Sequence, residues 1–252
     1  MFLLLLSLSV SHGNNEATIV GFNGDYQALV ALLRSDSAEV QERAAWTLGN
    51  LAHSTNPDNK VAIVSAGAIE PLVALVRGGS AAAQEHAVSL LSNLATTADS
   101  QVAIAQAGAI EPLVALMQGG NPEARGKVAG ALGYLASMNT NNQVAIVSAG
   151  AIHPLVALVR SGNAEAGSTE AQEMSAWTLG NLAHTSAENQ VAIVSAGAIV
   201  PLVALLRGGS AAAQERAAWT LGSLAHSTNP DNKVAIVSAG AIEPLVALVR
   251  GG

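Results

Sequence analysis

The chain has 252 residues, half of them apolar, with 24 glycines and only two Phe, two Tyr and three Trp, a composition too apolar for a disordered protein. A net charge of −7 argues against binding to nucleic acid, because a protein that contacts phosphates needs a basic face. No cysteine is present, which excludes disulfides, cysteine-based zinc sites and thiol nucleophiles.

The N-terminal segment, residues 1–13, has two interpretations. Its run MFLLLLSLSVSH has the apolar stretch and small residues of a secretory signal, although no Lys or Arg precedes the run. Alternatively, Leu5 to His12 is the end of a helix that recurs later in the chain, with Ser9 matching Asn50 and His12 matching His53. We expect the segment to be retained and the protein to stay in the cytoplasm or nucleus; cleavage would instead place it in the secretory pathway.

One motif recurs along the rest of the chain at spacings of 41 to 47 residues. The string G-A-I-x-P-L-V-A-L follows a degraded copy at Gly24 and begins at Gly67, Gly108, Gly150, Gly197 and Gly240. Such a period predicts stacked helical units, an all-α solenoid. We assign residues 14–252 to one repeat domain, with approximate boundaries at 14–58, 59–99, 100–141, 142–188, 189–231 and a partial repeat at 232–252. Residues 41–79 and 214–252 differ only at Asn50, which is Ser223 in the second segment.

Each repeat is predicted to contain three helices. The first is short and ends at the motif glycine, which can adopt a left-handed conformation. We expect polar side chains at one position to cap its start, namely Asn59, Ser100, Asn142, Asn189 and Asn232. The second helix carries a proline in its first turn and is apolar on several faces, which predicts burial. The third begins near Ser80, or near Asn121 and Pro122 in the middle repeat, and is amphipathic. The segment 161–170, about five residues longer than its counterparts in the other repeats, is expected to form a surface loop before the fourth such helix.

These motifs resemble the armadillo repeat: a short helix ending in G-A-I-x-P-L-V, a glycine turn, and then Q-E-x-A-x-W-x-L-x-N-L-A. The resemblance covers residues 14–252. It implies a right-handed superhelix of five three-helix repeats and a partial one, in which the third helices line a concave groove. In importin-alpha-type members of the family, a tryptophan and an asparagine four residues later bind an extended peptide. The Asn amide holds the peptide backbone, and the Trp flanks the aliphatic stem of a Lys or Arg.

By this resemblance, the candidate binding residues lie on one face of the third helices, four residues apart. Intact pairs are Trp46/Asn50 and Trp177/Asn181, whereas Asn93 and Trp219 each lack their partner. A glutamate precedes each tryptophan position by one turn in four repeats, at Glu42, Glu85, Glu173 and Glu215. In the middle repeat, Gly130 and Tyr134 take the places of the tryptophan and the asparagine. We therefore predict two sub-sites, one around Trp46, Asn50 and Asn93 and one around Trp177, Asn181 and Trp219. Inherited residues that only pack locally are the competing interpretation.

The predicted function is a non-catalytic scaffold that binds a protein or an extended peptide. One alternative is a nuclear-import-type adaptor for basic peptides, although the acidic residue expected one turn after the Asn is replaced by Ser54, Thr97, Thr185 or Ser227. Another is the substrate-recruiting part of a larger protein such as a ubiquitin ligase. We expect no enzymatic activity, cofactor or metal, because no catalytic motif or helical His–His spacing occurs and nearly every polar residue recurs by repeat.

The last predicted element is the second helix of the partial repeat. Without a third helix to cover them, its apolar residues Ile242, Leu245, Val246, Leu248 and Val249 would be partly exposed, unless the natural protein continues. We expect this end to fray or to self-associate. No membrane span is predicted, because the longest uncharged apolar stretch, Val191 to Leu206, has 16 residues and a spanning helix needs about 20.

Overall fold

The computed structural model describes residues 24–120, 122–161, 168–226 and 229–251, and the regular secondary structure in these ranges is α-helix throughout. Both interpretations of residues 1–13, and most of the 161–170 insertion, lie outside these residues. The chain divides into two compact units, Met1–Ala107 and Gly108–Gly252, with the division inside the 100–141 repeat.

The N-terminal unit contains six helices in its described residues. They are α1 (Tyr26–Leu32), α2 (Ala38–His53), α3 (Asp58–Ser65), α4 (Ile69–Gly78), α5 (Ala81–Leu94) and α6 (Ala98–Gln106). In repeat order, α3 and α6 are first helices, α1 and α4 are second helices, and α2 and α5 are third helices. The two third helices pack against each other, and each also packs on the second helix of its own repeat.

The C-terminal unit contains ten helices in its described residues. They are α7 (Ile110–Gly119), α8 (Pro122–Ala136), α9 (Thr140–Ser148), α10 (Ile152–Arg160), α11 (Ser168–Ala183), α12 (Ala187–Ser195), α13 (Ile199–Gly208), α14 (Ala211–Ala225), α15 (Pro230–Ser238) and α16 (Ile242–Gly251). The third helices α8, α11 and α14 pack consecutively, α8 on α11 and α11 on α14. The four repeats at 59–99, 100–141, 142–188 and 189–231 therefore each have the predicted three helices, and the first helix predicted for the repeat at 14–58 lies outside the described residues.

The second helices form the core. In α4, the side chains of Ile69, Leu72, Val73, Leu75 and Val76 are all buried, which confirms the prediction made from their apolar faces. Burial of a Leu, Ile or Val side chain contributes about 1.5–3 kcal/mol, so five such residues in one short helix make it an anchor of its repeat.

A sharp turn at the motif glycine joins the first helix to the second. Gly67 has φ +78°, in the left-handed region that glycine reaches without a Cβ clash, and α3 and α4 meet at 77°. The equivalent glycines also have positive φ, namely Gly108, Gly150, Gly197 and Gly240. The turn connects the short, largely exposed first helix directly to the buried second helix.

The predicted caps of the first helices are wrong by about one turn. The N-cap of α9 is Asn139, whose side chain accepts a hydrogen bond from the backbone N–H of Asn142, the residue expected to be the cap. Thr97 and Ser186 cap α6 and α12 in the same way. Asn142 uses its own side chain differently, since its Nδ2 donates to the backbone oxygen of Leu135 at the end of the preceding third helix, 2.9 Å away.

The same bond recurs from Asn59 to Leu51, from Asn189 to Leu182 and from Asn232 to Leu224. These asparagines satisfy carbonyl groups at the end of a third helix, where no intrahelical partner exists. Their position is therefore set by the contact between successive helices rather than by the start of their own helix.

The first and last described helices, α1 and α16, differ in their contacts with the rest of the chain. At α1, the Tyr26 hydroxyl donates to Asn59 Oδ1 over 2.7 Å. Burial, and to a smaller extent the charge of Asp58, raise the pKa of Tyr26, so the phenol keeps the proton that this bond uses. At α16, Ile242, Val246 and Val249 are exposed and Leu245 and Leu248 are half-buried, as the absence of a covering helix predicted.

No single helix in the described residues is long and apolar enough to cross a membrane. Five consecutive pairs of a first and a second helix would meet the requirement together, judged by length and composition alone.

Candidate functional site

In the N-terminal unit, the predicted site residues lie side by side on α2 and α5. Glu42, Trp46 and Asn50 are four residues apart on α2 and half-buried. On α5, Glu85 and Asn93 occupy the matching positions and are also half-buried. Because α2 packs against α5, all five side chains belong to one surface, to which each contributes part of its area. We call this face of the third helices, within each unit, the third-helix stripe.

In the C-terminal unit, α11 and α14 carry the second predicted sub-site. Glu173 and Trp177 are half-buried on α11, and Glu215 and Trp219 are exposed on α14, with Trp219 37% exposed. Asn181 is different, because it is only 9% exposed and its Nδ2 donates to the backbone oxygen of Gly133 on α8, 3.0 Å away. One of its amide protons is therefore committed to a bond between repeats.

The two tryptophans of this unit rest on glycines of the preceding third helix. A Cβ placed on Gly133 would lie 2.5 Å from Cε3 and Cζ3 of Trp177, and one placed on Gly180 would overlap the ring of Trp219. Only glycine leaves room for the ring in these positions. One part of each tryptophan ring thus packs between two consecutive third helices.

The threonine after each tryptophan strengthens the same contact. Thr178 Oγ1 lies 2.7 Å from the backbone oxygen of Ala129 on α8 and 2.8 Å from that of Met174 in its own helix. Thr220 repeats the arrangement with Ala176 on α11, at 2.7 Å. The hydroxyl has one proton, which it can donate across the helix contact or within its own helix. The W-T-L-G sequence therefore packs third helices against each other, and its tryptophan also lies on the stripe.

The middle repeat does not leave an open space in the stripe. Gly126 and Gly130 on α8 are buried, with Ala171 and the Met174 sulfur of α11 about 3.3–3.5 Å from the positions that their Cβ atoms would take. Tyr134 remains exposed at the Asn position. On α8, the space beside these two glycines is thus filled by the close approach of α11.

Trp177 is enclosed on two further sides. The Tyr134 ring meets it edge to face, with centroids 4.9 Å apart and planes at 70°. The guanidinium carbon of Arg216 lies 5.6 Å from its ring centroid, within cation–π range, while the buried Arg216 Nε makes no hydrogen bond to another described residue. Trp219 has only the tilted ring of His184, at 6.1 Å.

The stripe presents hydrogen-bonding, aromatic and charged groups. In the described part of the chain, no group of three or more His, Asp or Glu side chains is arranged to hold a metal ion. The amides of this surface can donate and accept hydrogen bonds, its rings offer aromatic faces, and its glutamates favour positive charge nearby.

Sequence reasoning missed the residues that surround the tryptophans, namely Gly133, Gly180, Tyr134, His184 and Arg216. The glycines had a signal, because Gly follows Trp by three residues in each W-T-L-G string and Gly133 keeps that place in the middle repeat. The sequence gives no signal for the contacts of Arg216 and Tyr134 with Trp177, because these contacts join residues about one repeat apart.

We predict that Gly180→Ala destabilises the protein, whereas Gly222→Ala does not. The two glycines share the W-T-L-G sequence, but Gly222 has open space where its Cβ would lie, while Gly180 has the Trp219 ring. Displacing that ring should cost about 1–3 kcal/mol. Alanine at Gly222 removes a helical glycine and should be neutral or stabilising by about 0.5–1 kcal/mol. Urea denaturation followed by circular dichroism measures both, and equal effects would contradict the packing described here.

Comparison with known proteins agrees with this architecture. The sequence matches the Armadillo/beta-catenin-like repeat family five times, over residues 27–53, 56–96, 97–137, 139–184 and 186–226. A search of curated proteins found no match.

Similar solved structures include two engineered proteins and a designed armadillo repeat protein in complex with the peptide (KR)4. The engineered proteins have TM-scores of 0.81 and 0.80 at 30% and 35% identity, covering 89% of this chain and 90% and 89% of theirs. The designed protein has a TM-score of 0.78 at 28% identity, covering 89% of this chain and 91% of its own. Five matched repeats of stacked helices show that the chain is an α-solenoid of the armadillo/beta-catenin-like repeat family.

Proposed function

We propose that the chain is a non-catalytic scaffold that binds a partner protein through an extended peptide segment on the third-helix stripe. The observation that carries the proposal is that partly exposed Trp, Asn and Glu side chains share a face of α2 and α5 in one unit, and that partly exposed Trp and Glu side chains share the matching face of α11 and α14 in the other. The designed armadillo protein that binds (KR)4 has a similar fold, which supports the same use of the stripe here.

The N-terminal unit is the better candidate for holding a peptide backbone. The side-chain amide of Asn93 makes no hydrogen bond to another described residue, so both its donors and its acceptor are available. Asn50 holds the equivalent position on the neighbouring helix α2, is also half-buried, and provides a second side-chain amide. Packed helices lie about 8–10 Å apart and an extended peptide advances about 3.3 Å per residue, so the two amides would meet backbone groups two or three residues apart.

The C-terminal unit favours side-chain recognition instead. Asn181 retains one free amide proton and its oxygen, but its bond to Gly133 limits its movement. Trp219 is the open ring of this sub-site, with Glu215 one turn before it, also exposed. A peptide lysine or arginine would find both an aromatic face and a carboxylate here.

A uniformly basic peptide is not the best ligand for the whole stripe. Arg216 already occupies a cation–π position beside Trp177, so a peptide cation placed there would meet a like charge. The positions that are acidic in importin-type proteins are exposed hydroxyl residues at Ser54, Thr97 and Thr185. We therefore favour a general peptide scaffold over a nuclear-import adaptor, in the cytoplasm or nucleus.

We predict that replacing Asn50 and Asn93 together with alanine weakens peptide binding without changing thermal stability. Each lost hydrogen bond costs about 0.5–1.5 kcal/mol, so affinity for (KR)4 should fall roughly 5- to 150-fold. Isothermal titration calorimetry measures it, with melting temperatures recorded in parallel. Asn181→Ala is the comparison: it should also lower the melting temperature, because it removes a buried bond between α11 and α8. Unchanged affinity in the double variant would contradict the proposal.

A second prediction concerns charge at Trp177. Arg216→Gln removes the neighbouring cation and should raise the affinity for (KR)4 about 2- to 5-fold, since a cation over an exposed ring gains about 0.5–1 kcal/mol. Arg43→Gln is a matched control, because Arg43 holds the equivalent position on α2 and is exposed beside Glu39, 4.0 Å away. If both variants raised affinity equally, net charge rather than the Trp177 ring would be responsible.

A further inference from the structure

One exposed residue after α8 has a backbone conformation that its side chain disfavours. Met138 has φ +54°, and it is the only non-glycine residue in the described ranges with a positive φ. A left-handed residue often follows a helix, but glycine or asparagine usually takes this place, because a larger side chain is strained there. The turn explains the conformation of Met138, but it does not explain why the residue is a methionine.

The side chain of Met138 makes no packing contact that would offset this strain. It is 100% exposed, the highest value among the large apolar residues of the described ranges. The equivalent residue of the next repeat, Thr185, has no positive φ, and its hydroxyl donates to Gln143 Oε1 over 2.8 Å. Backbone strain that nothing within the fold offsets is typical of positions that contact a ligand.

Met138 directly follows the exposed aromatic residue of the same repeat. The backbone N–H of Ser137 donates to the backbone oxygen of Tyr134, 3.2 Å away, so the chain turns at the end of α8 and keeps Met138 within one turn of Tyr134. Tyr134 is 40% exposed, and the rest of its ring packs against Trp177. An aromatic ring and a flexible thioether, which adapts to apolar ligands, therefore follow each other on the stripe.

The charge of the middle repeat favours an uncharged ligand side chain at this pair. The sequence 124–148, which covers most of α8 and all of α9, contains two basic residues and no Asp or Glu. Gly126 takes the place of the glutamate that the other four third helices carry on the stripe. Glu123 is in the first turn of α8, about 16 Å along the helix from Tyr134.

The neighbouring helix α11 does not supply the missing negative charge. Its glutamate, Glu173, precedes Trp177 by one turn, whereas Tyr134 corresponds to Asn181, one turn after Trp177. The guanidinium of Arg216 lies against the same Trp177 ring that Tyr134 contacts, 5.6 Å from its centroid. A lysine or arginine of a ligand would meet a like charge here, whereas an apolar side chain would not.

We propose that Tyr134 and Met138 form a subsite of the third-helix stripe for an uncharged apolar side chain of leucine or methionine size. This inference rests on the proposed binding of an extended peptide and specifies its sequence: an apolar residue at this subsite and a basic residue at Trp219 and Glu215. Because α8, α11 and α14 pack consecutively, the two places are two helix spacings apart, about 16–20 Å. An extended peptide covers that distance in about five or six residues.

The probes are two sets of eight peptides, in which leucine or serine replaces each residue of (KR)4 in turn. Fluorescence anisotropy measures the affinity of each peptide for the full chain. The ratio of the serine to the leucine dissociation constant at one position isolates the apolar contact, because both peptides have the same charge. We expect a largest ratio of about 3 to 10, with leucine among the first three or last three residues. A leucine in the two central positions has no residue five or six places away within the peptide.

Variants of Met138 test the assignment to this side chain. Met138→Asn keeps a residue that accepts the left-handed conformation, removes the apolar surface, and should lower the largest ratio about twofold or more. Its melting temperature should not change, because the side chain is fully exposed. Met138→Leu, which remains apolar, should keep the ratio. Val144→Asn is the matched control, because Val144 is an exposed apolar residue of the same unit that lies on the first helix α9.

The subsite would be overturned by a ratio that Met138→Asn leaves unchanged, or that Met138→Asn and Val144→Asn lower equally. A largest ratio at a central position, or equal ratios at all positions, would also overturn it. In each of these cases (KR)4 itself still binds, so the proposed function would stand. If neither (KR)4 nor any of its variants bound the unaltered chain, the proposed function would fail and the subsite with it.

Discussion

The contact of a tryptophan ring with the bare backbone of a glycine one repeat earlier sets the spacing of the third helices in the C-terminal unit. A helical glycine costs about 0.5–1 kcal/mol relative to alanine, so Gly133 and Gly180 weaken their own helices. In return, the rings of Trp177 and Trp219 lie directly on the neighbouring helix, where an aromatic side chain buries a large apolar area. Thr178, Thr220 and Asn181 then bond to carbonyl groups that the close approach brings within reach.

Only part of each tryptophan ring takes part in this packing. The part of the ring that lies on glycine holds the repeats together, and only the remainder can touch a ligand. Trp219 keeps more than a third of its surface exposed, whereas Trp177 is also enclosed by Tyr134 and Arg216. Part of each ring therefore packs as the competing interpretation predicts, whereas ligand binding by the exposed remainder stays a prediction. In the N-terminal unit, Ser89 replaces the tryptophan that would lie on Gly49, and the space over that glycine stays open.

Local sequence was enough to predict the repeat, because its signals act within one or two turns. The motif glycine must reach a positive φ, the proline must lie in a first turn, and the apolar residues of α4 must be buried on several faces. The exposure of α16 was also predictable, because no helix among the described residues covers it. In contrast, the caps of the first helices were misplaced, since Asn142 and its equivalents are held by a carbonyl group of the preceding helix and not by the end of their own.

The surroundings of the candidate site could not be predicted for a similar reason. The stripe residues follow from helical spacing, but Arg216 reaches the Trp177 ring from the next repeat, and Asn181 donates to a carbonyl group of the repeat before it. Such contacts depend on how far one helix is shifted along its neighbour, a quantity that a periodic sequence leaves open. The segments 41–79 and 214–252, which differ at one position, show the same limit, since their identical second helices are buried in one unit and partly exposed in the other.

Side-chain NMR tests the proposed binding of a partner peptide to the third-helix stripe. In a titration of the isotopically labelled chain with (KR)4, we expect shifts of the Trp46 and Trp219 indole N–H signals and of the Asn50 and Asn93 amide signals. The Trp177 indole should shift less, because Arg216 and Tyr134 enclose its ring. Shifts confined to first and second helices, for example at Val61 or Val200, with all these stripe signals unchanged, would show that the peptide binds elsewhere.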